Sequence, residues 1–362
     1  SNQEVIYMLD KGRIVLELAP DEVFTRQSEG DFCRLPDGSI LFAYSRFTQS
    51  GDDDAPSDIM GRLSRDEGDT WTDPVTLISA ARHGVKNVMS LTLMNMANGD
   101  IGMFYLIKQS PLENRVMLAR SKDGLTFGEA VECQNTARKG LYILNNQRAE
   151  RLSCGRIILP VALHYASMGK QGRLFNGYGE CYCLCSDDDG YTWREMPGQI
   201  HASFTRSHSG LQEPGIVEMR SGALWMYART DMMYQYECFS NDGGESWTLP
   251  QPSRFTSPQS PMKIARSPYN GVLYSIWNPI PNYNGREYTH YNGGRTPLVI
   301  ARSDNDGRTW SDPYVLEDNP DCGYCYPAMF FLPDGRALVA YCAGDIPDGG
   351  CLNRTRVRKI EL

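Results

Sequence analysis

Ser186-Asp187-Asp188-Asp189-Gly190-Tyr191-Thr192-Trp193 reads S-x-D-x-G-x-T-W, and close copies of it recur along the chain. Ser64, Asp66, Gly68, Thr70 and Trp71 form one; Ser240, Asp242, Gly244, Ser246 and Trp247 form another. Ser303, Asn305, Gly307, Thr309 and Trp310 form a third, with Asn for Asp, and Ser121, Asp123, Thr126 and Phe127 a shortened one. Asp, Ser and Thr side chains bond nearby backbone groups and hold a tight turn. Glycine supplies a backbone angle that other residues resist. The closing Trp is a large apolar anchor with one N–H to place. Units of this kind at near-regular intervals predict a repeat architecture.

A second set of turns alternates with the first. Leu35-Pro36-Asp37-Gly38, Asn98-Gly99-Asp100, Ser153-Cys154-Gly155, Arg220-Ser221-Gly222, Tyr269-Asn270-Gly271 and Pro333-Asp334-Gly335 are hairpin-type turns. A strand-like apolar run follows each, such as Ser39–Tyr44, Ile101–Leu106 or Arg156–Leu163, and another leads into each S-x-D-x-G-x-T-W turn. The unit is strand, tight turn, strand, loop, strand, box turn, strand. Four antiparallel strands per unit make one blade of a propeller. The hairpin turns count six, so the expectation is an all-β, six-bladed β-propeller occupying residues 1–362 as one domain. The sixth unit has no box, and Arg354–Leu362 with the N-terminal Val5–Leu18 is expected to complete it and close the ring.

Composition excludes several classes. Hydrophobic residues make up 41% and charged residues 22%, as in ordinary globular chains. A net charge of -8 without a basic run argues against nucleic acid as a partner. No apolar run approaches the roughly 18–20 residues of a membrane span. The 11 cysteines are odd in number, and Cys181, Cys183 and Cys185 alternate along one strand face, which reads as buried reduced thiols. Cys322-x-x-Cys325 has no second pair at ligand spacing, so neither a metal nor another cofactor is expected. The cysteines favour a cytoplasmic, reducing compartment. Residues 1–20 do not read as a signal peptide, and a secreted or periplasmic chain whose leader was removed is the alternative. Oligomeric state is left open.

The blade order also says where function sits. If both sets of turns lie at one end of the strands, the opposite end carries the residues before each first strand and after each second one. Loops on a rigid scaffold carry chemistry. The stretches at that end are Glu29–Cys33, Asn87–Ser90, Asn145–Arg148, Gln212–Pro214, Ser260–Lys263 and Cys322–Tyr326. They face Arg46, Lys108, His164, Arg229, Asn278 and Gly344.

With these motifs in place the chain resembles the sialidase superfamily, six-bladed propellers with Asp-box repeats, over nearly its whole length. The resemblance implies a retaining, exo-acting glycoside hydrolase acting on a terminal, acidic sugar of a glycan. It implies a Tyr nucleophile, a Glu as its base, an Asp acid/base from a first-blade loop, and arginines that clamp the substrate carboxylate. Tyr326-Pro327-Ala328-Met329 before Asp334-Gly335 is similar to the nucleophile segment, which places the nucleophile at Tyr326. Glu213 through Arg229 is similar to the fourth-blade segment and gives the base, Glu213, and one clamp, Arg229. Arg295, before the box at Ser303, is the second clamp. The acid loop falls on Gly51–Asp58, where spacing favours Asp52 or Asp53 without choosing between them. The family's first clamp arginine has no counterpart: Ser28-Glu29-Gly30-Asp31 stands in its place, with Arg26 and Arg46 nearest. That departure leaves a uronic acid or a neutral sugar open beside sialic acid. Asn146, Arg148 and His164 are further candidates for sugar hydroxyls.

A free Tyr, with a pKa near 10, is a poor nucleophile at neutral pH unless a base takes its proton. A neutral Tyr also avoids aiming a carboxylate at an anionic substrate. Two other readings fit the same scaffold. One is a carbohydrate-binding propeller without hydrolytic activity. The other is different glycosidase or uronate lyase chemistry, with His164 or an Asp–Glu pair in place of Tyr326.

Overall fold

The computed structural model describes residues 9–202, 206–281 and 292–362. Their strands form six antiparallel blades and one separate two-stranded hairpin, with two single turns of 3-10 helix between strands. The first blade runs Phe24–Arg34, Ile40–Thr48, Ser57–Ser64 and Val75–Ile78 from inside to outside. The second is Val88–Asn95, Ile101–Ser110, Glu113–Ser121 and Val131–Glu132. In the third, Leu141–Ile143 and Glu150–Arg151 share the inner edge of Ile157–His164, followed by Glu180–Ser186 and Arg194–Glu195. The fourth is Gln212–Glu218, Leu224–Arg229, Tyr234–Ser240 and Gln251–Thr256. The fifth is Lys263–Arg266, Leu273–Trp277, Leu298–Ser303 and Tyr314–Glu317.

The sixth blade is Cys325–Phe331, Arg336–Cys342, Thr355–Glu361 and, from the other end of the chain, Asp10–Leu18. The ring closes as the sequence leads one to expect; residues 5–8 of the expected closing segment lie outside the described residues. The eleven cysteines are all unbridged, and all but Cys154 are buried. No helix among the described residues is long and apolar enough to cross a membrane.

Each box does the work its chemistry allows. In the third blade the Ser186 hydroxyl donates to Asp188 at 2.8 Å and accepts from the Gly190 N–H at 2.8 Å. Asp188 accepts from the Thr192 N–H and hydroxyl at 2.8 and 2.6 Å, and the Trp193 indole donates to the Gly190 carbonyl at 2.9 Å. The shortened copy keeps the core of this net: Asp123 accepts from Ser121 and from the Thr126 N–H. The boxes also join blades. A Cβ on Gly68 would strike Leu338 of the sixth blade, one on Gly124 would strike Leu35 of the first, and one on Gly190 would strike Leu118 of the second. Gly244 and Gly307 bear in the same way on Ile158 and Trp225. Every box therefore packs its glycine against the preceding blade, and the hydrophobic core is a set of clusters between neighbouring blades.

Candidate active site

Four inner strands lose their register where they reach one mouth of the central axis. The shifts fall between Ser28 and Asp31, Met89 and Thr92, Gln212 and Gly215, and Cys325 and Ala328. Inside each shift one non-glycine residue is left-handed: Glu29 at φ 61°, Ser90 at 55°, Glu213 at 51° and Tyr326 at 53°. A bulge of this kind re-aims a side chain. Such backbone costs about 1–3 kcal/mol per residue and persists where the surrounding structure enforces it. All four residues border a single cavity of about 300 Å³, with Asp53, Lys108, Asn145, His164, Arg229 and Arg295 also in its wall.

At its floor the Tyr326 hydroxyl donates to Glu213 Oε1 at 2.6 Å. Arg229 Nη1 reaches both partners, Glu213 Oε2 at 2.9 Å and the Tyr326 oxygen at 3.3 Å. Arg295 lies over the Tyr326 ring, 5.7 Å from its centroid, and donates to Cys325 Sγ and to the Gln259 carbonyl. Burial pushes the Glu213 carboxyl up, but Arg229, the Tyr326 hydroxyl and Arg295 outweigh burial and hold it below the ordinary glutamate range. Burial and the Glu213 charge push the Tyr326 phenol well above its ordinary value. The resting pair is thus a neutral phenol hydrogen-bonded to a carboxylate, and the proton has a path from one to the other.

The first blade builds the facing wall. Arg26, only 1% exposed, donates from Nε to Ser28 at 2.8 Å and from Nη2 to Glu29 Oε2 at 2.7 Å. Its Nη1 donates to Asp53 Oδ1 at 2.7 Å and to the Gly51 carbonyl at 3.1 Å. The Asp53 side chain is 64% exposed; the carboxyl loses part of its water to the cavity wall, and the charges of Arg26, Lys108 and Arg229 more than offset this, leaving it below the ordinary aspartate range. Glu29 goes the other way: burial and the nearby Asp53 and Glu213 charges raise it against the pull of Arg26. His164 closes the third-blade side. Its Nδ1 lies 3.2 Å from the Asn176 carbonyl, its ring packs on Phe175, and burial lowers its pKa from the ordinary histidine value.

The cavity therefore gathers Tyr326, Glu213, Asp53, Arg229, Arg295 and His164 from the residues singled out in the sequence. Four others stand outside its wall. Asp52 turns outward, its carboxylate on the Ser50 hydroxyl. Arg46 stacks on the Phe24 ring at 3.8 Å. Arg148 is buried between blades, donating to Tyr227 Oη and the Met262 carbonyl, and Asn146 ties the Gly30 and Tyr326 carbonyls together. These arginine and asparagine side chains are held by intramolecular partners outside the cavity wall. Glu29, which stands where the family's first clamp arginine belongs, is in the wall, and Ser90 and Lys108 lie in stretches the sequence places at this mouth without a role assigned by their residue types. Phe175, also in the wall, belongs to the hairpin Ala166–Gly169 and Gly172–Phe175, whose exposed apolar residues carry no periodic signal.

The family model described as a BNR repeat-like domain matches residues 28–339. The chain belongs to this family. Its six-bladed, sialidase-like propeller agrees with the relatives it resembles. An anhydrosialidase from Macrobdella decora is 27% identical over 201 residues, 52% of this chain and 23% of that protein. A sialidase from Micromonospora viridifaciens is 25% identical over 347 residues, 85% of this chain and 48% of that protein. The chain thus spans less than half the length of either curated relative. A solved structure from Dyadobacter fermentans, described as of unknown function, superposes with a TM-score of 0.71 at 18% identity, covering 97% of this chain and 99% of that one. That likeness shows the fold alone.

Proposed function

We propose that the protein is an exo-acting glycoside hydrolase that removes a terminal acidic sugar from a glycan with retention of configuration. The observation that carries this reading is the 2.6 Å hydrogen bond from Tyr326 to Glu213 at the floor of a cavity with Arg229 on both groups. In the first step Tyr326 Oη bonds to the anomeric carbon as the bond to the leaving oxygen breaks. The phenol proton passes to Glu213, and the Asp53 carboxyl gives its proton to the leaving oxygen. In the second, Asp53 takes a proton from water, the water oxygen displaces Tyr326 from the anomeric carbon, and Glu213 returns the proton to the phenol. Arg229 and Arg295 hold the acidic group; Arg229, beside the phenol oxygen, also lowers the cost of the charge that develops there.

The test is turnover of a panel of aryl glycosides, acidic sugars included. Tyr326→Phe keeps the ring and loses the attacking oxygen, so kcat should fall by about a thousandfold or more. Glu213→Gln should lose about 10²–10⁴-fold, the worth of one general base. Turnover that survives Tyr326→Phe would remove the mechanism.

A further inference from the structure

Granted the glycosidase reading above, the first-blade wall limits which sugar the cavity takes. Arg26 is the cation of that wall, and Glu29, Asp53, Ser28 and the Gly51 carbonyl occupy its guanidinium. The first-blade wall therefore shows a substrate two carboxyl groups, and its cation is already paired with both. Both hydrogen bonds to Glu29, from Arg26 and from Ser28, end on Oε2. Its Oε1 takes none from the described residues, although Glu29 is buried and borders the cavity. The backbone at Glu29 is left-handed, at φ 61°, the conformation found at Tyr326 in the neighbouring blade. Glu29 thus stands one blade around the axis from the proposed nucleophile. Asn146 Nδ2 donates to the carbonyls of both Gly30 and Tyr326, so the backbone beside Glu29 lies close to that of the nucleophile, and Glu29 borders the cavity at the reacting end of the sugar. Arg229 and Arg295 come from the fourth and fifth blades, across the axis from the first.

We propose that Glu29 Oε1 accepts a hydrogen bond from the hydroxyl next to the anomeric centre, and that the substrate is an aldosidic uronic acid. Such a sugar carries hydrogen on its anomeric carbon and its carboxylate on the far side of the ring. Its 2-hydroxyl meets Glu29 while its carboxylate meets Arg229 and Arg295. A ketosidic acid such as a sialic acid brings a carboxylate on the anomeric carbon itself, beside Glu29, where the Arg26 guanidinium is already taken by Glu29 and Asp53. A carboxylate aimed at the 2-hydroxyl strengthens its hold as the anomeric carbon gains positive charge.

The experiment crosses two changes: Glu29 to Gln, and a substrate with its 2-hydroxyl removed. Gln keeps the volume and leaves a carbonyl oxygen for Arg26, so the amide nitrogen replaces the acceptor at the cavity. Thermal unfolding of the variant checks that it folds, and Glu29→Ala repeats the test without any polar group. Wild type should hydrolyse aryl uronides and leave the aryl ketoside of sialic acid intact. The ratio of kcat/KM for a 2-hydroxy over a 2-deoxy aryl uronide should drop by about tenfold or more in each variant; the ratio cancels the differing intrinsic reactivity of the two sugars. An unchanged ratio, or wild-type cleavage of the sialoside in preference to uronides, would overturn the assignment of Glu29. If the sialoside is cleaved and Tyr326→Phe is inactive, the glycosidase reading stands and only this inference falls. If Tyr326→Phe retains turnover, or no aryl glycoside is cleaved, both fall together.

Discussion

Glu213 holds a negative charge where burial alone would neutralise it. Three partners reverse the balance, Arg229 foremost, and that reversal keeps a proton acceptor ready beside Tyr326. Asp53 poses the opposite problem, because a group that protonates a leaving oxygen must first carry the proton. Arg26, Lys108 and Arg229 hold its carboxyl below the usual range. In the free enzyme kcat/KM should therefore fall with rising pH through a limb on the acid side, as Asp53 loses its proton. Lys108 offers a handle on that limb. It also pairs with Asp54 at 2.8 Å, a carboxylate that Arg173 holds as well at 3.0 Å, so Lys108→Met removes one positive charge from near Asp53. That loss disfavours the Asp53 anion, so its pKa rises and the limb moves to higher pH. A pH profile of kcat/KM for the variant checks this, and a limb that stays in place or moves to lower pH would assign it to another group.

At the scale of elements, the box is a turn and also a joint. Gly190 has φ 90°, and a Cβ there would lie 2.7 Å from Leu118 of the preceding blade. Gly99, in the hairpin turn of the second blade, has φ 89° but open space around it. Gly99→Ala should cost only the left-handed penalty, about 1–2 kcal/mol, whereas Gly190→Ala adds overpacking, for roughly 2–4 kcal/mol in all. Urea unfolding of the two variants separates them; equal losses would mean that the box does not join blades. The contrast also explains what the sequence discloses. Turn chemistry is local, so Ser186, Asp188, Gly190 and Trp193 announce the turn, and the repetition announces the ring. The bulges at Glu29, Ser90, Glu213 and Tyr326 arise from ring geometry, which no local pattern carries. Asp52 and Asp53 are adjacent and chemically alike, and only the folded loop turns Asp53 to Arg26 and Asp52 to Ser50. Arg148, before an inner strand, and Arg229, at the end of the second strand of its blade, are both placed at this mouth by the sequence, yet one is held between blades and the other lines the cavity.

At the scale of the molecule, the site exists only while the ring is shut, because Glu213 and Tyr326 lie 113 residues apart and meet across it. Asp10–Leu18 shuts it by lying along Thr355–Glu361, with Leu18 buried among Phe32, Phe42, Leu338 and Val357. Charges reinforce the seam: Arg356 pairs with Glu17, while Arg13 and Lys359 both reach Asp69 in the first box. The closing strand thus ties the sixth blade, which bears Tyr326, to the first, which bears Glu29 and Asp53. Deleting residues 1–18 would strip Thr355–Glu361 of its outer neighbour and expose an unpaired edge. The lost burial of Leu18, with the half-buried Leu16 and Val15, amounts to about 5 kcal/mol, a large share of a typical domain's roughly 5–15 kcal/mol. The truncated chain should melt at markedly lower temperature. Trp71, packed against Phe32 and Phe42 at this seam, should report the loss in its fluorescence. Turnover should disappear with the fold, because Tyr326 is on the inner strand of the blade that has been opened. A truncated chain that keeps both its melting temperature and its Trp71 signal would show that the ring is held shut without this strand, by the contact of Gly68 with Leu338 and its neighbours alone.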